Sequence, residues 1–318
     1  MKMKKISYLL SCVLLCTVTF ITNAQSGRTG KLRWNISNGI LTISGNGAMP
    51  NYNKYKPNKN RYNCPWHSYL KHITDIVICD GVISIGDNAF YICDTDYVPW
   101  ECIVSMTAIY DYYSNCSRLT SITIPNSVNS IGRNAFRGCS NLISVIIPNS
   151  VTTIGSSAFS DCHSLTSITI PNSVTIIESY VFDSCSGLNY VTLSDSATVI
   201  RYAAFRGCHG LTSVIIPNSV TTIGGDAFAY CRGLKSVTIP KSVIEIANNA
   251  FSDCDNLEEI IIHATEPPKI KPFNAFSNID KVKCTLYVPT VALPAYRIVN
   301  GWKDFENIES FNERVDKE

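Results

Sequence analysis

Cysteine and histidine are the residues of this chain best equipped for chemistry, as metal ligands, redox pairs or nucleophiles. There are 14 and 5 of them, and their spacing points away from all three roles. Cys139, Cys162, Cys185, Cys208, Cys231 and Cys254 recur every 23 residues without a slip. A zinc ion needs ligands converging at about 2 Å, not spread along a line. His163 and His209 each follow one of these cysteines, two periods apart. If successive periods stack like strands, the two imidazoles lie roughly 10 Å from each other and cannot share an ion. A thiol that returns once per period, where a small apolar group faces inward, behaves as a small buried hydrophobe. Neighbouring column cysteines would meet the Cα condition for a disulfide, but their sulfurs would have to turn along the stack instead of into the core. Reduced thiols are therefore expected in the column, and any disulfide among Cys64, Cys79, Cys102 and Cys284. No G-x-S-x-G, H-E-x-x-H or phosphate-cradling glycine loop occurs. The expectation is a protein that is not an enzyme and has no cofactor and no metal.

The cysteines keep time with the whole chain. Leu119, Leu142, Leu165, Leu188, Leu211, Leu234 and Leu257 share the 23-residue period, as do Phe136, Phe159, Phe182, Phe205, Phe228 and Phe251. The copy from Leu211 reads LTSVIIPNSVTTIGGDAFAYCRG. A fixed period in this range with an LxxLxL core is the signature of a leucine-rich repeat solenoid. Numbered from its Leu, a repeat is apolar at positions 1, 4, 6, 10, 13, 17, 18 and 21. Positions 3 to 6 alternate, which predicts a short strand with one buried face, ended by a proline such as Pro148, Pro171, Pro217 or Pro240. Asn and Ser then suit a turn through local side-chain bonds to the backbone. The second apolar pair, Val220 and Ile223, runs back along the other wall, and Ala-Phe with the Cys closes the coil as a short helical or irregular turn. No single coil buries eight apolar groups alone, so neighbours must stack in register. The fold class is an α/β-type, predominantly β solenoid: a right-handed leucine-rich repeat coil with a parallel sheet, an N-terminal β-hairpin cap and a C-terminal cap. Nine strand positions from Ile73 to Leu257 predict a sheet about 40 Å long.

Four segments follow. Residues 1–24 carry Lys2, Lys4 and Lys5, an apolar run from Ile6 to Ile21 and Thr22-Asn23-Ala24, the layout of a secretory signal peptide cut before Gln25. Without it the 27 basic side chains become 24 against 25 acidic ones, a balance that gives no basic footprint for nucleic acid, and no transmembrane segment remains. Residues 25–72 are an N-terminal capping module. Leu32, Trp34 and Ile36 alternate, Asn38-Gly39 predicts a type I′ turn, and Ile40 to Ile43 returns; Asn51 to Asn63 reads as a loop before Pro65-Trp66. Residues 73–262 are the solenoid. Within it 96–118 is a degenerate repeat that keeps the length and Cys116 but puts Pro99, Trp100 and Glu101 where a strand belongs, with Tyr110, Tyr112 and Tyr113 in the turn. It reads as either a bulged coil or a functional departure. Residues 263–318 are the C-terminal capping module, with a strand at Leu286-Tyr287-Val288-Pro289 and anchors Tyr296, Trp302 and Phe305.

With no chemistry in view, function must lie in surfaces. Positions 3 and 5 point outward from the strands: Ser121 and Thr123, Ser144 and Ile146, Ser167 and Thr169, Tyr190 and Thr192, Ser213 and Ile215, Ser236 and Thr238. This face is uncharged and hydroxyl-rich, and solenoid faces of this kind are the usual binding surfaces. The second candidate is the turn edge around the Phe and Cys positions, which carries Arg133, Arg137, Arg206 and Arg232 with Tyr180 and Tyr230. Arg and Tyr are enriched at protein interfaces.

The motif LTSITIPNSVTxIGxxAFxxC resembles the BspA-like leucine-rich repeat proteins of bacterial surfaces. LTISGNGAMPNY resembles that family's N-terminal module, and the TLYVP…AY…GW.DF segment from Thr285 to Phe305 its C-terminal cap. The resemblance implies an exported protein, secreted or held at the cell surface or in the periplasm, and an adhesin-like role. The expected partner is a protein of the host matrix or of a cell surface. The alternatives are glycan binding, through aromatics near Trp66, Trp100 and Tyr110–Tyr113, and a purely structural envelope component.

Overall fold

A computed structural model describes residues 25–52, 64–91, 116, 118–271 and 274–311. The expected signal peptide and the interrupted strand and tyrosines at 99–113 lie outside the described residues, as does most of the expected loop at 51–63. Successive coils are joined by three hydrogen-bonded ladders. The first lies along the strands at positions 3 to 6, β5 (Asp75–Ile78), β7 (Ser121–Thr123), β9 (Ser144–Val145), β11 (Ser167–Thr169), β13 (Tyr190–Thr192), β15 (Ser213–Ile215), β17 (Ser236–Ile239) and β19 (Glu259–Ile262), with breaks in strand pairing between β9 and β11 and between β13 and β15. All pairings among them are parallel and in repeat register, Ser236 opposite Glu259 and Val237 opposite Ile260 for example. The second lies along the short strands of the opposite wall, β6 (Val82–Ile85), β8 (Ser130–Ile131), β10 (Thr153–Ile154), β12 (Ile176–Ile177), β14 (Val199–Ile200), β16 (Thr222–Ile223) and β18 (Glu245–Ala247), with one break in pairing between β10 and β12.

The third ladder was not foreseen. The Ala-Phe-Cys turn is no helix. Its N–H groups at positions 16, 18 and 20 donate to carbonyls of the following coil, as in Tyr180 to Tyr202, Phe182 to Ala204 and Ser184 to Arg206 (2.7–3.0 Å). Left-handed backbone at positions 16 and 20 turns these amides the same way. Asn134, Ser157, Tyr180, Ala203, Asp226 and Asn249 have φ of 50–60°, as do Ser184 and Tyr230. Non-glycine residues rarely adopt this conformation, so the interchain-like bonds of the stack impose it. The turn serine at position 9 also bonds across coils, not locally: Ser150 donates to Val128 (2.6 Å) and Ser219 to Ala197 (2.5 Å).

Inside the three walls the rings form one rail. Trp66, Phe90, Phe136, Phe159, Phe182, Phe205, Phe228, Phe251 and Phe276 stack with centroids 5.1–5.7 Å apart and planes 5–24° from parallel. Each such ring withdrawn from water contributes about 2–3 kcal/mol. The buried apolar residues make a single continuous cluster from Leu32 to Phe305.

One expectation fails. The degenerate repeat adds no coil to the stack. Strand β5 pairs directly with β7, Ile76 opposite Ile122, β6 pairs with β8, and Phe90 stacks on Phe136 at 5.1 Å. Cys116 takes the place that Cys93 would hold: its thiol donates to the Phe90 carbonyl at 2.7 Å, and Leu119 donates to its carbonyl as Leu165 does to that of Cys162. Among the described residues the repeat strands therefore number eight, not nine.

The stack also reaches further toward the N-terminus than the repeat does. Strands β1 (Gln25–Thr29), β2 (Leu32–Ser37) and β3 (Ile40–Ser44) are antiparallel, with Ser37 opposite Ile40 and φ of 50° and 78° at Asn38 and Gly39, as the type I′ turn requires. Strand β3 then lies parallel on β5, β4 (Gly47–Ala48) lies on β6, and Trp66 starts the ring rail, its indole N–H bonded to the Ala89 carbonyl at 2.8 Å. At the other end β20 (Lys269–Lys271) extends the second ladder. Strands β21 (Thr285–Pro289) and β22 (Asn307–Phe311) extend the first. Between them, Tyr296 of a short helix, α1 (Leu293–Tyr296), bonds the Ala264 carbonyl and Trp302 the Pro268 carbonyl.

Candidate interaction surfaces

The outward positions of the first sheet lie where the alternation places them. Ser121, Thr123, Ser144, Ser167, Thr169, Thr192 and Ser213 are exposed, and Ser236 and Thr238 are half-buried. Their inward neighbours, such as Ile168 and Val214, are buried. Three large side chains stand out of this hydroxyl lawn: Ile146 (77% exposed), Ile215 (72%) and Tyr190 (61%). Ile143, one residue before the strand, adds a fourth exposed apolar group. The face is bounded by acids. Asp75 accepts from Ser121 at one end, and Glu258 and Glu259 are exposed at the other.

The arginines on the turn edge are largely committed within the molecule. Arg206 forks onto both oxygens of Asp183 (2.8 and 3.1 Å) and lies over the Tyr180 ring at 5.5 Å. Arg137 reaches Asp161 at 3.3 Å and covers Tyr91. Arg232 makes a looser, exposed pair with Asp255 at 3.5 Å. Arg133 is exposed, and its main-chain N–H donates to Asp87. Burial raises the Asp183 carboxyl above the usual carboxylate range, against the pull of Arg206. The coils from Leu165 and Leu188 replace the Gly132 and Gly155 of their neighbours with Glu178 and Arg201, which pair at 3.0 Å. Tyr180 and Tyr202 meet edge to face at 5.3 Å, and the hydrogen bond to Asp226 pushes the Tyr202 phenol up to about 12. The edge is thus a polar-aromatic patch centred on residues 178–209.

The groups suited to chemistry are instead built into the frame. The described cysteines of the core, from Cys64 and Cys116 to Cys284, are unbridged thiols. Five column thiols, Cys162, Cys185, Cys208, Cys231 and Cys254, donate to the Phe carbonyl of the preceding coil, as Cys185 does to Phe159 (3.1 Å) and Cys231 to Phe205 (3.2 Å). They are donors as well as hydrophobes, which the spacing alone did not reveal. Burial raises them all; Cys254 is pushed up to about 12. The imidazoles of His163 and His209 use Nδ1 to donate to the Ser184 and Tyr230 carbonyls, both at 2.8 Å. Among the described residues no group of three His, Cys, Asp or Glu side chains is arranged to hold a metal ion.

These coils can be compared with known proteins. The BspA type Leucine rich repeat region matches this chain in six copies, over residues 67–189, 107–232 and 198–291. The chain belongs to the BspA-type leucine-rich repeat family. Among solved structures, a leucine rich cell surface protein from Faecalibacterium prausnitzii is similar at 22% identity, covering 91% of this chain and 96% of that one, with a TM-score of 0.48. A leucine-rich repeat protein from Bacteroides ovatus is 23% identical over 87% and 80% of the two chains, with a TM-score of 0.45. A Eubacterium ventriosum leucine-rich repeat protein is 19% identical over 91% and 85%, with a TM-score of 0.46. No curated protein matches.

Two groups of surface residues escaped the reading by columns 3 and 5. Ile143 belongs to position 2, where Thr120, Thr166 and Thr212 stand in neighbouring coils; the signal was an isoleucine in a threonine column. Glu178, Arg201 and Tyr202 occupy positions 14 and 15, where a departure from small residues in two successive BspA-type repeats marks the patch. Trp66, offered as part of a glycan platform, is fully buried under Phe90 and cannot present its ring. Trp100 and Tyr110–Tyr113 lie outside the described residues.

Proposed function

We propose that this BspA-type chain is exported and acts as a non-catalytic protein-binding module, adhesin-like, for a protein of the host matrix or of a neighbouring cell. The observation that carries the reading is the exposed apolar set Ile143, Ile146, Tyr190 and Ile215 on an uncharged sheet. A soluble protein gains nothing in stability by holding such groups in water, and an aromatic among aliphatics within a polar surround is the usual anatomy of a binding patch. The Arg206–Tyr180–Tyr202 edge is the second contact region, with Arg137, Arg232 and Arg133 around it. Burial of Trp66 removes the best-placed aromatic of the glycan reading and weighs toward protein.

The test is binding of residues 25–318 to a panel of purified host matrix proteins by biolayer interferometry, beside a glycan array. The triple variant Ile146→Ser, Tyr190→Ser, Ile215→Ser should keep the melting temperature and lose at least tenfold in affinity for whichever protein binds. Unaltered binding by the triple variant, or signal on neutral glycans alone, overturns the reading. Export is checked separately, by finding Gln25 as the first residue of the protein recovered from medium or envelope.

A further inference from the structure

A net charge near zero conceals a strong separation. Residues 25–74 contain eight Lys and Arg side chains and not one Asp or Glu. Residues 75–318 carry 16 basic against 25 acidic side chains. Four of the eight, Arg28, Lys31, Arg33 and Lys71, lie among the described residues, and because order along a solenoid chain is order along its axis these make a positive end. The end is arranged, not merely composed. Arg28 and Arg33 stand directly opposite each other in the antiparallel β1–β2 ladder, both exposed, with exposed Lys31 in the turn between. Arg33 in turn faces Ser44 on β3, so the pair continues the outward face of the first sheet. Like charges directly opposite on a sheet destabilise it. Among the described residues none of the three makes an ion pair, and the first acid in sequence, Asp75, is engaged by Thr74 and Ser121.

The surroundings narrow the partner. Large exposed hydrophobics begin only at Ile83, so the described part of this end lacks the apolar anchors with which basic surfaces enter a lipid interface. Trp34, Tyr52 and Trp66 are buried, and Tyr69 is half-buried, packed on Trp34 with its hydroxyl donating to Gln25, so the described rings offer no row of free faces for unpaired bases to stack on. What remains is a flat array of guanidinium forks and an ammonium, suited to sulfate or carboxylate groups along a chain.

We propose that the N-terminal end of the solenoid, through Arg28, Lys31 and Arg33, binds an anionic polysaccharide. The choice of a polysaccharide over a nucleic acid draws also on the export reading above. The surface itself is tested on purified protein, so a failure of export or of protein capture leaves its result distinct. Residues 25–318 are titrated with a size-defined heparin oligosaccharide, with uncharged dextran and with oligodeoxythymidylate of matched charge, at low and at physiological salt. Binding of the heparin oligosaccharide, weakening as salt rises, is expected, with none to dextran. Arg28→Ser, Lys31→Ser, Arg33→Ser together should weaken it at least tenfold without lowering the melting temperature, since a repulsive pair has been removed. Lys241→Ser, Arg297→Ser, Lys303→Ser, exposed side chains with the same loss of charge elsewhere, should leave it within about twofold. No binding at low salt, equal weakening by both triples, or tighter binding of the oligodeoxythymidylate overturns the proposal.

Discussion

Deleting residues 92–114, so that Asn115 follows Tyr91, should leave the stack intact and make it more stable. The deletion removes one whole period of 23 residues, and every contact across the gap already closes without it: β5 on β7, Phe90 on Phe136, Cys116 on the Phe90 carbonyl. The choice of cut matters. In regular coils the residue before the Cys is left-handed, with φ between 56° and 75° at Gly138, Asp161, Ser184, Gly207, Tyr230 and Asp253. Retaining Asn115 puts a residue tolerant of that conformation there; retaining Ile92 would put a β-branched one, which is not. Holding together Tyr91 and Cys116, separated by 24 residues of chain, costs roughly 2–3 kcal/mol relative to a direct link on the logarithmic scaling of chain-closure entropy. A gain of about 2 kcal/mol corresponds to a rise of several degrees in melting temperature at this size. Circular dichroism melts and urea titrations of both proteins measure it. A variant that aggregates, or that melts below the parent, would refute the reasoning, because the excised stretch would then be supplying contacts the stack needs.

The column thiols should resist iodoacetamide at pH 8 in the native protein and all react once it is unfolded, because burial both blocks access and disfavours the thiolate; rapid labelling of Cys185 or Cys208, located by mass spectrometry, would contradict the packing. Arg206→Ala should destabilise by about 1–3 kcal/mol at pH 7, a buried-pair cost reduced because the Arg206 side chain is 37% exposed. The Asp183 carboxyl is already raised in the folded state and rises further without its partner. A raised carboxyl favours the fold below the ordinary carboxylate range, and that contribution is lost as pH climbs through the folded value. The variant's deficit should therefore be smaller at pH 4 than at pH 7, and equal deficits in urea midpoint at the two pH values would show that Asp183 does not titrate in this way.

What the sequence reveals here is whatever repeats. The 23-residue beat of Leu, Phe and Cys carries the coil, its inward and outward sides and the ring rail, because in-register stacking turns one period into three columns. Asn38-Gly39 announced its hairpin because both residues tolerate positive φ. The N-terminal coil was hidden because Leu41 and Ile76 lie opposite each other at a spacing of 35 residues and a tryptophan replaces the Phe. The skipped repeat was hidden for the opposite reason: the interruption kept the period, so counting could not tell a coil in the stack from one left out of it. The turn ladder left no trace in composition, since its left-handed positions accept Asn, Ser, Tyr, Ala and Asp alike. Of the candidate surfaces, alternation gave the face but not its centre, which depends on a few large side chains breaking columns of small ones.

The turn ladder also gives the molecule a direction. Each coil from Leu119 to Leu211 hands three amide hydrogens forward, and the last to donate, Phe251 and Asp253, are received by Ala275 and Ser277. In this ladder, shortening the protein from its beginning would bare carbonyl oxygens, which water or a neighbour readily satisfies, whereas the sheet walls, where Thr152 and Gly155 donate back to Asn129 and Ile131, would be left with free amides by the same cut. Shortening it from its end would strand amide donors beside a wall of phenyl rings, the rarer and more damaging kind of orphan. Each lid therefore covers the donors of a different wall: the one after Ile262 covers those of the turn, the one before Ile73 those of the sheets.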